Sequence, residues 1–236
     1  MKLTKYIGPI LPVFFLSVLL TSCAKDTPVA ELSDDEVVEL IELALQESSA
    51  GLTKSVELLI EDLEELSLEA ICDSLYLKTN NYEYSGSVLN ASISSNTEWM
   101  LSCNFINLPE FAEFNAVSAI DYSTNRVDSE DTSIFDGTIG GLLISMDAYS
   151  ISANYERSGN QQTNFRVDRM LNSSLNLDLT DLQVSKSNFE IISGTAKLIF
   201  VVNSGGESFE FEGELVFSDD EAELTLDNDL YIIALK

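Results

Sequence analysis

Residues 196–235 read AKLIFVVNSGGESFEFEGELVFSDDEAELTLDNDLYIIAL. Ala196, Leu198, Phe200 and Val202 fall on alternate positions up to a Ser204-Gly205-Gly206 turn. Phe209, Phe211, Gly213, Leu215 and Phe217 answer them, with Glu210, Glu212 and Glu214 pointing the other way. Ser218-Asp219-Asp220 turns the chain again, Ala222, Leu224 and Leu226 face inward opposite Glu221 and Glu223, and Asp227-Asn228-Asp229 leads into Tyr231, Ile233 and Leu235. A period of two broken by short polar turns describes a four-strand antiparallel meander with one buried and one wet face.

The same grammar reaches back to Cys72, with less regular strands expected over residues 82–95, 97–107, 114–122, 131–139, 149–157, 162–169 and 174–184. Trp99, Leu101, Cys103 and Phe105 share a face, so Trp99 is read as a core residue rather than a stacking platform for sugar. Leu175, Leu177 and Leu179 alternate with Ser174, Asn176 and Asp178 in the same way. The fold class is mainly β: an antiparallel meander over residues 70–236, strongly curved, as a barrel or a sandwich, between which periodicity does not choose.

Ahead of the sheet the period changes to 3.6. Ser33-Asp34-Asp35-Glu36 matches a capping box, and Val37, Leu40, Ile41, Ala44 and Leu45 recur at helical spacing until Ser48-Ser49-Ala50-Gly51, read as a stop with a C-cap glycine. A second stripe runs through Leu52, Val56, Leu59, Ile60, Leu63 and Leu66. Residues 33–69 therefore form an N-terminal acidic helical segment, packed on the sheet by its apolar stripes. Residues 24–69 hold 14 acids against 2 lysines, so the other helix faces are expected to be acidic and outward.

The chain begins with Lys2 and Lys5, then 14 uncharged residues from Ile7 to Leu20. A bilayer needs about 20 apolar residues, and Pro9 and Pro12 interrupt this run, so residues 1–22 read as a signal peptide. Leu20-Thr21-Ser22-Cys23 resembles the lipobox of bacterial lipoproteins. That resemblance implies that Cys23 carries a thioether-linked diacylglycerol, usually with an N-acyl chain such as palmitate, and begins the mature protein. Each buried CH₂ of such chains contributes about 0.8 kcal/mol. Residues 23–32 form a polar tether. Lys25-Asp26 looks like a partial form of the charged signal that sends Bacteroidetes lipoproteins to the cell surface, so both faces of the outer membrane stay open.

Removing residues 1–22 takes two lysines and no acid, leaving 10 basic and 40 acidic side chains, a formal balance of −30. Affinity for nucleic acid comes from Lys and Arg displacing counterions, so nucleic acid is excluded as a partner. Anionic headgroups are repelled too, which leaves the lipid on Cys23 as the membrane attachment. Cys72 and Cys103 would lie in an oxidising compartment and are expected to be bridged. A loop of about 30 residues closed this way stabilises by about 3–4 kcal/mol in the chain-entropy model. The rival, a redox pair, lacks C-x-x-C spacing and a histidine.

With no histidine in the chain, Ser-His-Asp and Cys-His catalysis and histidine-ligated metals are ruled out. Gly137, Gly140 and Gly141 lack the lysine and Ser/Thr of a P-loop and read as turns. Asp128, Glu130, Asp131 and Asp136-Gly137 miss the ligand spacing of a calcium loop, and Asp227-Asn228-Asp229 reads as a hairpin turn. No metal, cofactor or enzymatic activity is expected. Arg157, Arg166 and Arg169 form a basic island around a Ser158-Gly159-Asn160 turn, for which pairing with the chain's own carboxylates outweighs a bound acidic ligand. Asp73-Ser74-Leu75 looks like a short O-glycosylation motif of exported Bacteroidetes proteins.

The landmarks after Cys23 are the acidic lead containing Glu47–Gly51, Tyr82-Glu83-Tyr84, Trp99 to Cys103, Tyr155 to Gly159, and Ser193-Gly194-Thr195-Ala196. In this order they resemble the uncharacterised lipoproteins common in flavobacteria. That resemblance implies an outer-membrane, lipid-anchored, non-enzymatic β domain for binding, adhesion or envelope structure, with Cys23 as its functional residue. A protein, glycan or lipid ligand is left unspecified. The alternative is a carrier of a lipid or other apolar ligand, held between a curved sheet and a helical lid.

Overall fold

The computed structural model describes residues 32–67, 71–106, 108–143, 145–164 and 168–236. Helix α1, Asp34–Leu45, opens at Ser33, whose amide donates to Glu36 Oε2 at 3.0 Å, the reach-back half of the capping box. The stop differs in detail from the glycine cap read from the sequence. Gln46 is the C-cap, and Ala50 rather than Gly51 takes the left-handed conformation, at φ 55°. Gly51 serves close packing instead: a Cβ there would stand 2.6 Å from the carbonyl oxygens of Ala44 and Gln46. Helix α2, Leu52–Ser67, starts at this contact.

Ten strands follow: β1 Leu75–Ser85, β2 Leu89–Cys103, β3 Pro109–Thr124, β4 Val127–Gly140, β5 Ala148–Thr163, β6 Arg169–Ser185, β7 Ile191–Ser204, β8 Glu207–Ser218, β9 Glu221–Leu226 and β10 Asp229–Ala234. Each pairs antiparallel with the next, so the sheet is a meander from β1 to β10 with no crossover. The C-terminal hairpins turn where the alternation says they should, with Asp227 and Asn228 both at positive φ between β9 and β10.

Two turns sit elsewhere than expected. The break near residue 96 is absent: the chain turns at Gly86-Ser87-Val88, and β2 runs unbroken through Asn96, paired with Thr79 on one side and Val117 on the other. Ser158-Gly159-Asn160 lies inside β5, paired with β4 through Asp131↔Gly159 and with β6 through Gly159↔Ser173. Glycine stands there for space, since a Cβ would collide with the Asp131 carboxylate and the Glu130 carbonyl. The strand expected over 162–169 is therefore the end of β5 and the start of β6.

One face of the sheet carries the core. Trp99, Leu101, Phe114, Ile120, Phe135, Ile139, Ile151 and Tyr155 are buried on it, as are Leu177, Leu198, Phe200 and Phe217. The helices supply the opposing layer with Val37, Ile41, Leu45, Leu52, Val56, Ile60 and Leu63. Both terminal strands reach that layer. Asn80 Nδ2 of β1 donates to Asp62 Oδ2 of α2 at 2.8 Å, and the Glu47 amide after α1 donates to the Leu235 carbonyl after β10 at 2.8 Å.

Ten strands about 4.8 Å apart would span about 43 Å if flat, against about 20 Å for two packed helices. The sheet therefore curves around the helix pair. β1 and β10 do not pair, so it is one open sheet, neither a closed barrel nor a two-sheet sandwich.

Cys72 and Cys103 are disulfide-bonded, with Cα atoms 5.7 Å apart, and tie the lead-in of β1 to the end of β2. The replacement Cys72→Ser with Cys103→Ser is expected to lower unfolding free energy by about 3–4 kcal/mol in urea denaturation, the chain-entropy value for this loop length.

Candidate functional site

Inward positions on β4 and β5 should be apolar by alternation, yet Ser129, Asp131, Ser133, Arg157, Gln161 and Thr163 are buried there. Arg157 Nε donates to Asp131 Oδ2 at 2.7 Å, and both side chains are 3% exposed. Gln161 Nε2 donates to Asp131 Oδ1 at 2.9 Å, and Ser129 Oγ donates to the same oxygen at 2.5 Å. The guanidinium carbon stands 5.0 Å from the Tyr122 ring centroid. Arg157 Nη1 and Nη2, Gln161 Oε1 and the Tyr155 hydroxyl are buried without a protein partner.

Burial works against the Arg157 charge, but Tyr155, Asp131 and Tyr122 outweigh it and hold the group more firmly protonated than usual. Burial pushes the Tyr122 phenol up to about 12. Both phenols are uncharged at neutral pH, so the Asp131 carboxylate is the charge that balances Arg157 inside the core. A buried pair of this kind contributes little net stability, yet losing one partner leaves an uncompensated charge.

Beside the pair runs a row of rings in contact across four neighbouring strands. Trp99 to Phe114 is 5.7 Å between centroids, Phe114 to Phe135 is 4.9 Å and Phe135 to Tyr155 is 5.6 Å. Trp99 is fully buried, in keeping with its reading as a core residue, whereas Phe105, expected on the same face, lies past the end of β2 and is exposed. Between α2 and β1–β4, next to Ser55, Leu59 and Phe135, a gap of about 10 Å³ remains.

Much of the helical acid faces the rim of the sheet rather than open water. Arg169 Nη2 meets Glu36 Oε2 at 2.7 Å, Arg126 Nη1 meets Glu39 Oε2 at 2.8 Å and Lys78 Nζ meets Glu65 Oε2 at 2.6 Å. The Tyr149 hydroxyl donates to Glu64 Oε1 at 3.0 Å. Burial acts to raise the Glu36 carboxyl, but the Ser33 amide and Arg169 outweigh it and hold the group below its ordinary value. Glu39, Glu42 and Asp62 are raised, burial being the largest cause in each.

A concavity lies on the opposite, outer face. It is an open groove of about 740 Å³ near the β1–β2, β3–β4 and β5–β6 turns, lined among others by Glu83, Tyr84, Asp121, Asp128, Glu130 and Met170. Asp128 and Glu130 line this groove while Asp131, next on β4, points to the core, so the strand's alternation separates these acids and they form no calcium loop. Among the described residues no three acidic or cysteine side chains converge to hold a metal ion.

The basic island is not one patch. Arg157 is under the helices with Asp131, Arg169 is at the rim with Glu36, and Arg166 lies outside the described residues, as do Cys23 and Lys25-Asp26. The bland reading, pairing with the chain's own carboxylates, holds for Arg157 and Arg169. Gly137 lies within β4 and Gly140 ends it, whereas Gly141, at φ 78°, takes the turn. The Asp131–Arg157 pair was not foreseen; its visible signal was a charged residue at an inward position in each of two paired strands.

Comparison with known proteins finds no match to any family model, curated protein or solved structure.

Replacing Asp131 with Ala strands the Arg157 charge and is expected to cost about 3–5 kcal/mol by chemical denaturation, whereas the double change Asp131→Leu with Arg157→Met loses less. A carboxyl whose folded pKa is raised binds its proton more tightly in the folded state. Glu39, Glu42 and Asp62 therefore add stability as pH falls from neutrality toward the unfolded carboxylate range. Glu36 has the opposite sign: its contribution is present above the unfolded value and is lost as pH falls through the folded one. Calorimetry is expected to show a thermal midpoint that rises on mild acidification from pH 7, less steeply in Asp62→Asn.

Proposed function

We propose that the chain is a lipid-anchored protein of a bacterial outer membrane whose β domain binds a ligand rather than transforming one. The observation that carries this reading is the placement of the polar groups. In the core Asp131 and Arg157 meet each other, while an open groove of about 740 Å³ lies on the wet face with Glu83, Asp121, Asp128 and Glu130 along it. Such a groove suits a cationic or hydroxyl-rich partner, held by charge and hydrogen bonds. The lipobox residues Leu20 to Cys23 and the polar stretch after them support the anchor.

A second reading, carriage of an apolar ligand beneath the helices, draws support from the unpartnered Nη atoms of Arg157 at the end of the ring row. The small gap between α2 and the sheet weighs against it. Native mass spectrometry of extracted protein separates the two, a co-purifying lipid favouring carriage.

The anchor is tested in cells: Cys23→Ala is expected to move the protein out of the membrane fraction and to remove an acyl mass from the mature N-terminus. Retention in the membrane without that mass refutes it. For the groove, Asp128→Asn with Glu130→Gln is expected to weaken binding of a basic probe peptide about tenfold, the loss of two exposed charge contacts of about 0.7 kcal/mol each. Glu210→Gln with Glu212→Gln, of the same net charge change on β8, is the control and is expected to bind like the parent.

A further inference from the structure

At one end of the sheet two neighbouring loops break the chain's acidic habit. Residues 104–109 and 140–146 contain no charged side chain, in a protein with 40 acids among 236 residues. The first joins β2 to β3 and the second joins β4 to β5. β3 and β4 are paired up to Ala112↔Ile139, so the two loops leave the same end of the sheet from neighbouring strands. Phe105 is 97% exposed, Ile106 59%, Leu108 47%, Leu143 45% and Met146 47%. Isolated exposed apolar residues are ordinary, but a concentration of them on adjacent tips marks a contact surface.

Several backbone groups of the two tips are paired within the protein. Asn104 N donates to Leu108 O at 2.9 Å, and Asn104 Oδ1 accepts from the amides of Ile106 and Leu108, each at 3.1 Å. Met146 N and Lys186 Nζ both donate to Leu143 O, at 3.0 and 2.8 Å. The disulfide closes the first loop directly behind Asn104. Polar backbone that is paired within a loop can leave water at little cost, which is the condition for entering the interfacial zone of a bilayer.

We propose that these two loops dock on the surface of a zwitterionic lipid bilayer, with Phe105, Ile106, Leu108, Leu143 and Met146 as the inserted side chains. The choice of a bilayer rests on the lipid-anchor reading, which keeps the molecule beside one. The choice of zwitterionic lipid rests on charge: Asp73 and Asp147 flank the tips, offset in part by Lys186, and the mature chain is formally −30, so anionic headgroups are repelled. The tether enters at the far end, where Glu36 near the start of α1 meets Arg169 at the start of β6. Nine residues from Cys23 to Leu32 reach about 30 Å, while β2, at 15 residues, is about 50 Å long. Anchor and tips therefore hold opposite ends of the sheet, and meeting one bilayer lays the strands along it.

Trp99 is fully buried, so an added indole can be followed separately. The test uses the full chain carrying Phe105→Trp or, as a control on exposed β8 at the opposite end, Ser208→Trp. Each is made with Cys23 intact and with Cys23→Ala, and mixed with vesicles of brominated phosphatidylcholine or brominated phosphatidylglycerol. Quenching at least fivefold stronger at position 105 than at 208, in phosphatidylcholine and not in phosphatidylglycerol, supports the proposal, and adding Ile106→Ser with Leu143→Ser should abolish it. Protein that floats with phosphatidylcholine vesicles through Cys23 while position 105 stays unquenched overturns the docking and leaves the anchor standing. Quenching at 105 that is the same with and without Cys23, in protein lacking any acyl mass, supports the docking and overturns the anchor. A tip that is unquenched but crosslinks to a protein overturns the bilayer as its occupant.

Discussion

The inner face of the sheet has to be covered, and the two helices are what cover it. A closed barrel hides one face by wrapping it around itself; this sheet stays open between β1 and β10 and exposes its apolar side to whatever layer packs on it. The stripes Val37–Ile41–Leu45 and Val56–Ile60–Leu63 fill that role at near-zero exposure. A short helix seldom holds by propensity alone, so the helices depend on the sheet as much as the sheet depends on them. The tight Gly51 turn and the contacts from β1 and β10 follow from the need to seat two helices inside one curved surface.

Charge is arranged around that contact. Acids placed on the helices by the sequence divide between water and the rim, where Arg126, Arg169 and Lys78 meet three of them. Rim pairs that are partly exposed add modest energy, yet they fix how the helices lie across the strands. Asp131 and Arg157 do something else. They place charge inside the core, at the cost of burying it, and Gly159 is kept without a side chain to make room for them. Such pairs can define one packing arrangement among several similar ones, which is a reasonable role where small serines on β4 leave the contact with the helices otherwise featureless.

Much of this was legible in the residues. Alternation located the C-terminal hairpins, the capping motif located the start of α1, and the shared face of Trp99 and Leu101 put the tryptophan inside. The failures have specific causes. Ser158-Gly159-Asn160 has the chemistry of a turn, but its glycine answers to a neighbour's carboxylate across the sheet. Gly51 looked like a left-handed cap, whereas Ala50 took that conformation and Gly51 was needed for close approach. The half-polar first strand, with Lys78, Thr79, Asn80 and Asn81, lacks an apolar alternation because it is an edge whose inward side chains meet the acids of α2.

The period of each segment is a local property of the backbone, so the residue order alone located the two helices and the C-terminal hairpins with their inward sides, and marked Cys72 and Cys103 as candidates for one bridge. Whether the sheet closes, which carboxylate Arg157 meets, how the helical acids divide between rim and water, and which loops share an end are decided by contacts between residues far apart in the chain. Those depend on the curvature that emerges when ten strands pack around two helices, and no window of sequence contains that curvature.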